Sequence, residues 1–532
     1  RADAAQPMRL RIALTISGAV ALGAYEGGAL AALLCAIRDL CRGDDPAVRI
    51  DAIGGASAGS LTGLLAARCL LEGIDPVHVM REAWVERDSL PVMRTHTPDE
   101  PLSLDALRRA SVDLLDPRDP FGRPAHRVGA RQGAPIRMVM ALASLRGLEY
   151  RVPSLSARQP VRATTSLDWA TFTFTSGQPV RELTEPRRAS PTDVALASAA
   201  NALAFRPVLL DRSGDEGGYR ARGIVNFPPS KQLWYTDGGI LDSEPLTRTL
   251  DLVREVDQDS SPDTRRIQVL VHPNPTGAPT GTAWADPQNP PTWLATLLRA
   301  RDMQRTQSVY DDLLHLEQIN TRLDWTGRLF DEIGPVLDDL DSESASRLRD
   351  ALMRATGVIE GQRRALRAHE KDPAAAAPQP VADKPTTELL RDVVAQIAGI
   401  AGKERIALEV VSPLLLPEAK EMPVAQMLSG EFLFHFGGFL SRSLRMSDFD
   451  LGYRSTLEWL RAGGLGESGL PGELEQQALA RAEEAHRPGE QWRALGRTTF
   501  QDLPARERLA LLSVFAHMAR VVAHDLRHRR PQ

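Results

Sequence analysis

The chain has 532 residues, 42% hydrophobic and 25% charged, a globular balance that excludes a disordered, collagen-like or fibrous protein. Its 64 Lys and Arg against 69 Asp and Glu leave a net charge of −5, so no overall basic field exists to attract nucleic acid. Lysine occurs only at 231, 371, 384, 403 and 420, and the surplus of arginine reads as compositional bias rather than phosphate recognition. Cys35, Cys41 and Cys69 form neither a disulfide framework nor a zinc knuckle, which fits a reducing, cytoplasmic setting, peripheral at the membrane at most. The longest apolar run, Ala19 to Ile37, is interrupted by Tyr25, Glu26 and several glycines and reads as too short for a membrane span. A first residue Arg1 rather than Met is compatible with a removed upstream segment such as a signal peptide.

Arg9 to Ser17 (RLRIALTIS) predicts a strand that meets a tight turn at Gly18, and Ala24 to Leu40 predicts a helix. Arg49 to Ile53 predicts a second strand, broken by Gly54-Gly55, and Ser60 to Leu71 a helix with Leu61, Leu64, Leu65 and Leu71 at helical spacing. This repeated strand, turn and helix argues for a parallel sheet covered by helices. Residues 88–160, punctuated by Pro91, Pro98, Pro101, Pro117, Pro120 and Pro124, read as an insertion or lid. Arg162 to Ser176 is β-rich, and Ile267 to Val271 is a short strand ending at His272. After a loop from Pro273 to Pro291, Trp293 to Arg328 and Asp338 to His369 read as long exposed helices, and Asp372 to Pro385 as a linker. Arg405 to Leu414 returns to strand character, Phe432 to Phe449 is aromatic-dense, and from Leu474 the chain is helical to a basic end, LRHRRPQ. The expected division is a core over 1–290, a long-helix insertion over 291–371, a linker over 372–386, a segment returning to the core over 387–465, and a helical region over 466–532.

Gly55-Ala56-Ser57-Ala58-Gly59 is a GxSxG between a predicted strand and a predicted helix. Small neighbours permit the sharp bend that exposes a serine hydroxyl, and the helix start offers amides and a positive dipole end to an oxyanion. The alternative is a βα turn merely capped by serine. A serine needs a base, and Asp237-Gly238-Gly239 places a carboxylate after the extended Leu233 to Thr236, although such a triplet is more often only a turn.

Taken with Ala197-Ser198-Ala199-Ala200, Phe205 and Pro207-Val208, these motifs make the sequence resemble the patatin-like phospholipase family, most of all bacterial patatin-related proteins. Ser17 to Gly23 lies where the family carries its glycine-rich oxyanion loop, Gly28 matches the glycine that follows it, and Phe436 to Leu440 with Asp448 to Tyr453 resembles its closing segment. The resemblance covers residues 9–272 well and 400–460 loosely. It implies a three-layer α/β/α sandwich, here with helical insertions and a helical C-terminal region. It further implies hydrolysis of lipid acyl esters, of phospholipase A or lysophospholipase type, at a transient membrane surface and without a metal or other cofactor. Carried over, Ser57 is the nucleophile and Asp237 the base of a dyad without histidine. Gly18, Ala19 and Val20 supply the oxyanion hole, and Gly55, Gly59, Gly238 and Gly239 support the motifs. This chain departs from the family at Ala19 and Val20, where glycines are usual, and at Leu22, where a basic residue is usual. β-Branched Val20 is not expected to take a positive φ.

Two rival readings remain. The order Ser57, Asp237, His272 matches a Ser-Asp-His esterase, although only one predicted βα unit precedes Ser57. A catalytically weakened lipid-binding or scaffold protein is the other. Elsewhere the bland readings prevail: Phe432, Phe434, Phe436, Phe439 and Phe449 as core, His517, His524 and His528 as no metal site, and the helices at 293–369 as solvated. A C-terminal stripe of Leu512, Phe515, Ala519, Val522 and Leu526 is expected to dock on the first domain rather than lie in a membrane interface. The oligomeric state is not legible.

Overall fold

The structure, a computed structural model, describes residues 9–44, 46–115, 128, 131–152, 161–178, 189–256, 264–276, 288, 291–367, 385–400, 407–433, 435–466 and 470–528. The 372–384 part of the expected linker, much of the 273–291 loop, Phe434, His369 and the last four residues lie outside them.

Among the described residues, eight strands form one sheet: β1 (Arg9–Ile16), β2 (Val48–Gly55), β3 (Ile136–Val152), β4 (Val161–Phe174), β5 (Val208–Asp211), β6 (Gln232–Asp237), β7 (Thr264–Val271) and β8 (Ala407–Val411). Their order is β5-β6-β3-β2-β1-β7-β8, with β4 also paired to β3. The run from β3 through β2, β1 and β7 to β8 is parallel, and β4, β5 and β6 are antiparallel additions. β1 is buried on both faces, as a central parallel strand must be. Ten helices are named here: α1 (Gly23–Ile37), α2 (Ala58–Glu72), α3 (Pro191–Ser198), α4 (Leu246–Val256), α5 (Trp293–Asp338), α6 (Ser342–Arg367), α7 (Thr386–Ile397), α8 (Arg442–Arg461), α9 (Gly472–Ala485) and α10 (Ala505–His528). α1, α2 and α8 belong to the large core on one face of the sheet. Leu252 and Val253 of α4 pack on Ala13, Ala52 and Val139 on the other. The α/β/α sandwich expected from the sequence is therefore the fold observed.

Three sequence readings are corrected here. The region 88–160 is not simply an insertion, because it contains β3, whose two edges pair with β2 and β6 and with β4. Ile136, Met138, Met140 and Leu142 are buried on one face of β3, and Val139, Ala141 and Ala143 on the other, so no alternation betrayed it. β2 is not broken at Gly54-Gly55 but runs through both; a Cβ on Gly54 would lie 1.8 Å from Thr249 Oγ1 of α4. Val20 to Ile37, read as too interrupted for a span, is long and apolar enough to cross a membrane, yet 94% of it is buried inside the protein.

α1 owes that burial to α8. A Cβ on Gly28 would stand 1.9 Å from the Phe449 carbonyl oxygen, and one on Gly452 would stand 2.0 Å from that of Tyr25. The two helices thus touch backbone to backbone, and Thr456 Oγ1 donates to the Ala29 carbonyl at 3.0 Å. Gly452→Ala should lower the unfolding free energy by about 2–3 kcal/mol in urea titration, an overpacking cost. Gly472→Ala, at a helix start where an added Cβ meets open space, should be neutral or slightly stabilising.

Candidate active site

Ser57 stands where β2 becomes α2, with φ +52° and ψ −123°. A non-glycine residue in that region costs about 1–3 kcal/mol and is held there only by its surroundings. Gly59 explains how. A Cβ there would meet the Ile16 and Ser17 carbonyl oxygens at 2.3 and 2.6 Å, and one on Gly55 would meet the Gly59 carbonyl oxygen at 2.6 Å. The start of α2 therefore sits directly against the end of β1, and the bend at Ser57 has no room to relax. Ser57 occupies the N-cap position, but its hydroxyl makes no capping bond, which removes the reading of a merely capping serine. Its Oγ instead donates to Asp237 Oδ2 at 3.2 Å.

Asp237 ends β6. Its Oδ2 also accepts from Asn201 Nδ2 at 3.2 Å, and its Oδ1 accepts from the Gly239 amide at 2.9 Å. Gly238 lets this turn close on β3, since a Cβ there would lie 2.1 Å from the Ala141 carbonyl oxygen. Ser57 and Asp237 are each only 4% exposed. The motif around Ser198 does physical work that the sequence reading left unstated. Ser198 Oγ accepts from the Ser57 amide and from Ser60 Oγ, both at 2.9 Å. Two residues beyond it, the Ala200 carbonyl accepts from the Asp237 amide and from Thr236 Oγ1. Asn201 and Ser198 are thus site residues that sequence reasoning missed, although both lie in or beside a quoted motif.

The loop Gly18–Val20, expected from the sequence to line an oxyanion hole, differs from expectation in two respects. The Gly18 amide, expected to help line the hole, donates to the Ser243 carbonyl at 2.8 Å and is spent. Gly18 is there for its size: a Cβ would press on Ser57 Cβ and Ser243 Oγ, each at 3.3 Å. Val20, not expected at positive φ, has φ +53°. It follows Ala19 at φ −133°, ψ −1°, and this pairing turns successive amides toward one side, as in an anion-binding nest. The Ala21 amide is held by the His435 carbonyl at 3.0 Å. The amides of Ala19, Val20 and Ala58 donate to no protein acceptor among the described residues. Leu22, in the place of a usual basic residue, is fully buried and has no access to a head group.

His272 lies at the end of β7 and is buried. Its Nδ1 accepts from the Asn274 amide at 3.0 Å, so Nε2 carries the proton and donates to Glu244 Oε1, also at 3.0 Å. Both ring nitrogens are engaged away from Ser57.

Residues 14–250 match the family model described as patatin-like phospholipase, a span that includes the Ser57 bend, the Asn201 turn and Asp237. No curated relative matches the chain.

The strain at Val20 yields a prediction. Val20→Gly should raise the unfolding free energy by about 1 kcal/mol, measured in urea, because glycine takes a positive φ without penalty. A loss of stability would mean that the packing of the valine side chain outweighs its backbone strain.

Proposed function

Residues 14–250 belong to the patatin-like phospholipase family, whose members are typically lipid acyl hydrolases, and on that premise we propose that this chain hydrolyses lipid acyl esters through a Ser57-Asp237 dyad. The observation that carries the reading is the buried 3.2 Å hydrogen bond from Ser57 Oγ to Asp237 Oδ2, made by a serine in a strained bend and not used for capping. In the proposed reaction Oγ attacks the ester carbonyl while Asp237 Oδ2 takes its proton and passes it to the departing alcohol. Water, deprotonated by the same carboxylate, then attacks the acyl carbonyl, and Asp237 returns that proton to Oγ as the acyl–Oγ bond breaks and the carboxylic acid leaves.

A carboxylate of ordinary pKa, about 4, is a weak base for an alcohol, so the reading requires strong stabilisation of the tetrahedral oxyanion. The amides of Ala19, Val20 and Ala58, together with the positive end of α2, are the donors available for it. Each well-placed donor of this kind contributes about 3–4 kcal/mol in a dry site, and the burial of Ser57 and Asp237 supports such a site. Asn201 and the Gly239 amide hold the carboxylate toward Ser57. These donors favour hydrolysis over the catalytically weakened scaffold. The engagement of His272 with Glu244 and Asn274 favours the dyad over a Ser-Asp-His mechanism. Phospholipase A or lysophospholipase activity is the proposed type.

The test is turnover of a medium-chain nitrophenyl ester and of mixed phospholipid vesicles. Ser57→Ala and Asp237→Asn should each reduce kcat/KM by about 1,000-fold or more. His272→Gln, which keeps a donor for Glu244, should stay within about threefold. A fluorophosphonate should label wild type at Ser57. Absence of both labelling and turnover in folded wild type would return the scaffold reading, and a His272→Gln variant as inactive as Ser57→Ala would replace the dyad.

A further inference from the structure

We infer that the outward face of α10 is the surface by which this protein rests on an anionic lipid bilayer. The helix has two apolar stripes. Leu511, Val514 and Val521 are buried against the body. The stripe expected from the sequence to dock does the opposite: Leu512, Phe515, Val522 and Leu526, with Leu509, are 47–66% exposed. The correction has a simple cause, since both stripes repeat with the helical period and periodicity alone does not say which one meets the core.

The charges on α10 are sorted in the same way. At about 100° per residue, Arg506, Arg520 and Arg527 line one edge of the outward apolar face and Arg508 lies within it, all four exposed. The carboxylates Glu507 and Asp525 fall instead on the side of buried Val514. An apolar face with arginines along one edge and Arg508 within it, the exposed Asp525 lying beyond its opposite edge, complements a hydrocarbon boundary under anionic head groups. The helix is long and apolar enough to span a membrane. Its inner stripe is already packed on protein and its four arginines run from end to end, so it lies flat rather than crossing.

The position of α10 suits this role. Arg94 donates to Ser513 Oγ at 2.9 Å, and His517 Nε2 meets the Glu100 carbonyl at 3.0 Å. The Glu100 carboxylate pairs with Arg206, and the Leu102 amide donates to the Ala204 carbonyl. That turn begins at Asn201, the partner of Asp237. The helix is thus joined through one connecting segment to the rim of the Ser57 site, where Leu203, Ile240 and Leu241 are also exposed. The choice of a bilayer as occupant rests on the proposed lipid substrate.

The experiment is flotation of the full chain, carrying Ser57→Ala, with vesicles of non-hydrolysable ether-linked phosphatidylcholine, with or without ether-linked phosphatidylglycerol at about three parts in ten, a surface negative enough to recruit arginine. The parent protein should float with the anionic vesicles. Leu512→Ser/Phe515→Ser should lower partitioning about tenfold or more, from the lost burial of two large side chains. Arg520→Ala/Arg527→Ala should weaken binding to the anionic vesicles only, and roughly 0.5 M salt should do the same to the parent. Both pairs are exposed, so circular dichroism should be unchanged, and in the Ser57 background the soluble ester should turn over normally. Equal flotation of parent and Leu512→Ser/Phe515→Ser would overturn the inference. A parent that sediments as a dimer and becomes monomeric in that variant, with flotation unaltered, would assign the face to a second copy of the chain. Flotation as expected without ester turnover would instead count against the hydrolase reading alone.

Discussion

The start of α2 can press against the end of β1 only because Gly59 has no side chain. A methyl group there would lie 2.3 Å from the Ile16 carbonyl oxygen, well inside contact distance. Pushing the helix away by the missing ångström would open the bend at Ser57 and let its φ return to an ordinary value. It would also move Oγ off the line to Asp237. The same contact sets the place of Gly18, whose own Cβ position is hemmed in by Ser57 and Ser243. Hydrolytic geometry, on this reading, is a consequence of backbone packing among β1, α2 and the end of β6, and the strain at Ser57 is sustained by the burial around it.

Buried carboxylates near this junction are stabilised by different means. Asp168 and Asp237 both stand opposite Leu142 of β3, one on β4 and the other on β6. Burial pushes the Asp168 carboxyl up, but Arg212 and Arg222 outweigh it and hold the group below the usual carboxylate range. Tyr219 and Tyr235 hydroxyls each donate to Asp168 Oδ2 at 2.6 Å. Tyr235 is two residues before Asp237 on the same strand, so this network ties down β6 where the proposed base is carried. Around Asp237 itself the donors include a serine hydroxyl, an amide side chain and a backbone amide. Neutral donors of this kind orient a carboxylate with less charge compensation than two guanidinium groups provide. The first arrangement suits a structural anchor, the second a group that must accept a proton.

Much of the candidate site was legible because its chemistry is local. GxSxG and DGG are short strings whose glycines are required by contacts within a few residues or with the adjacent strand, and they end a buried strand, β2, and an alternating one, β6. What was missed depends on distance. Ser198 and Asn201 act on Ser57 and Asp237, 141 and 36 residues away, and nothing in their own surroundings announces it. β3 escaped because it is buried on both faces and follows a proline-rich stretch, so neither alternation nor a clean boundary marks it. The spent amide of Gly18 and the positive φ of Val20 are products of tertiary contact with Ser243 and His435. A preference against that conformation was correctly read from valine and then overridden.

The contact with His435 shows that the chain beyond the family match takes part in the site. The family model ends at residue 250, yet the Ala21 amide that closes the Val20 turn is held by a carbonyl at 435. A Cβ on Gly438 would lie 3.0 Å from Ala21 Cβ. α8 then covers α1, and β8 pairs with β7 on the far side of β1. Asp448 in the second turn of α8 accepts the Ser429 and Gly430 amides at 2.6 and 2.8 Å, fixing the loop that presents His435. Without these elements the Gly28 face of α1 would lie open to water, while Gly23 and Gly27 would still meet Trp84 and Glu26 would still bond Ser17 and Thr62. Its Gly28 surface matches the backbone of α8 too closely to suit another partner. The Ala19-Val20 turn leads directly into α1, so its geometry depends on a segment some 400 residues further along the chain, an ordering that only the folded state supplies.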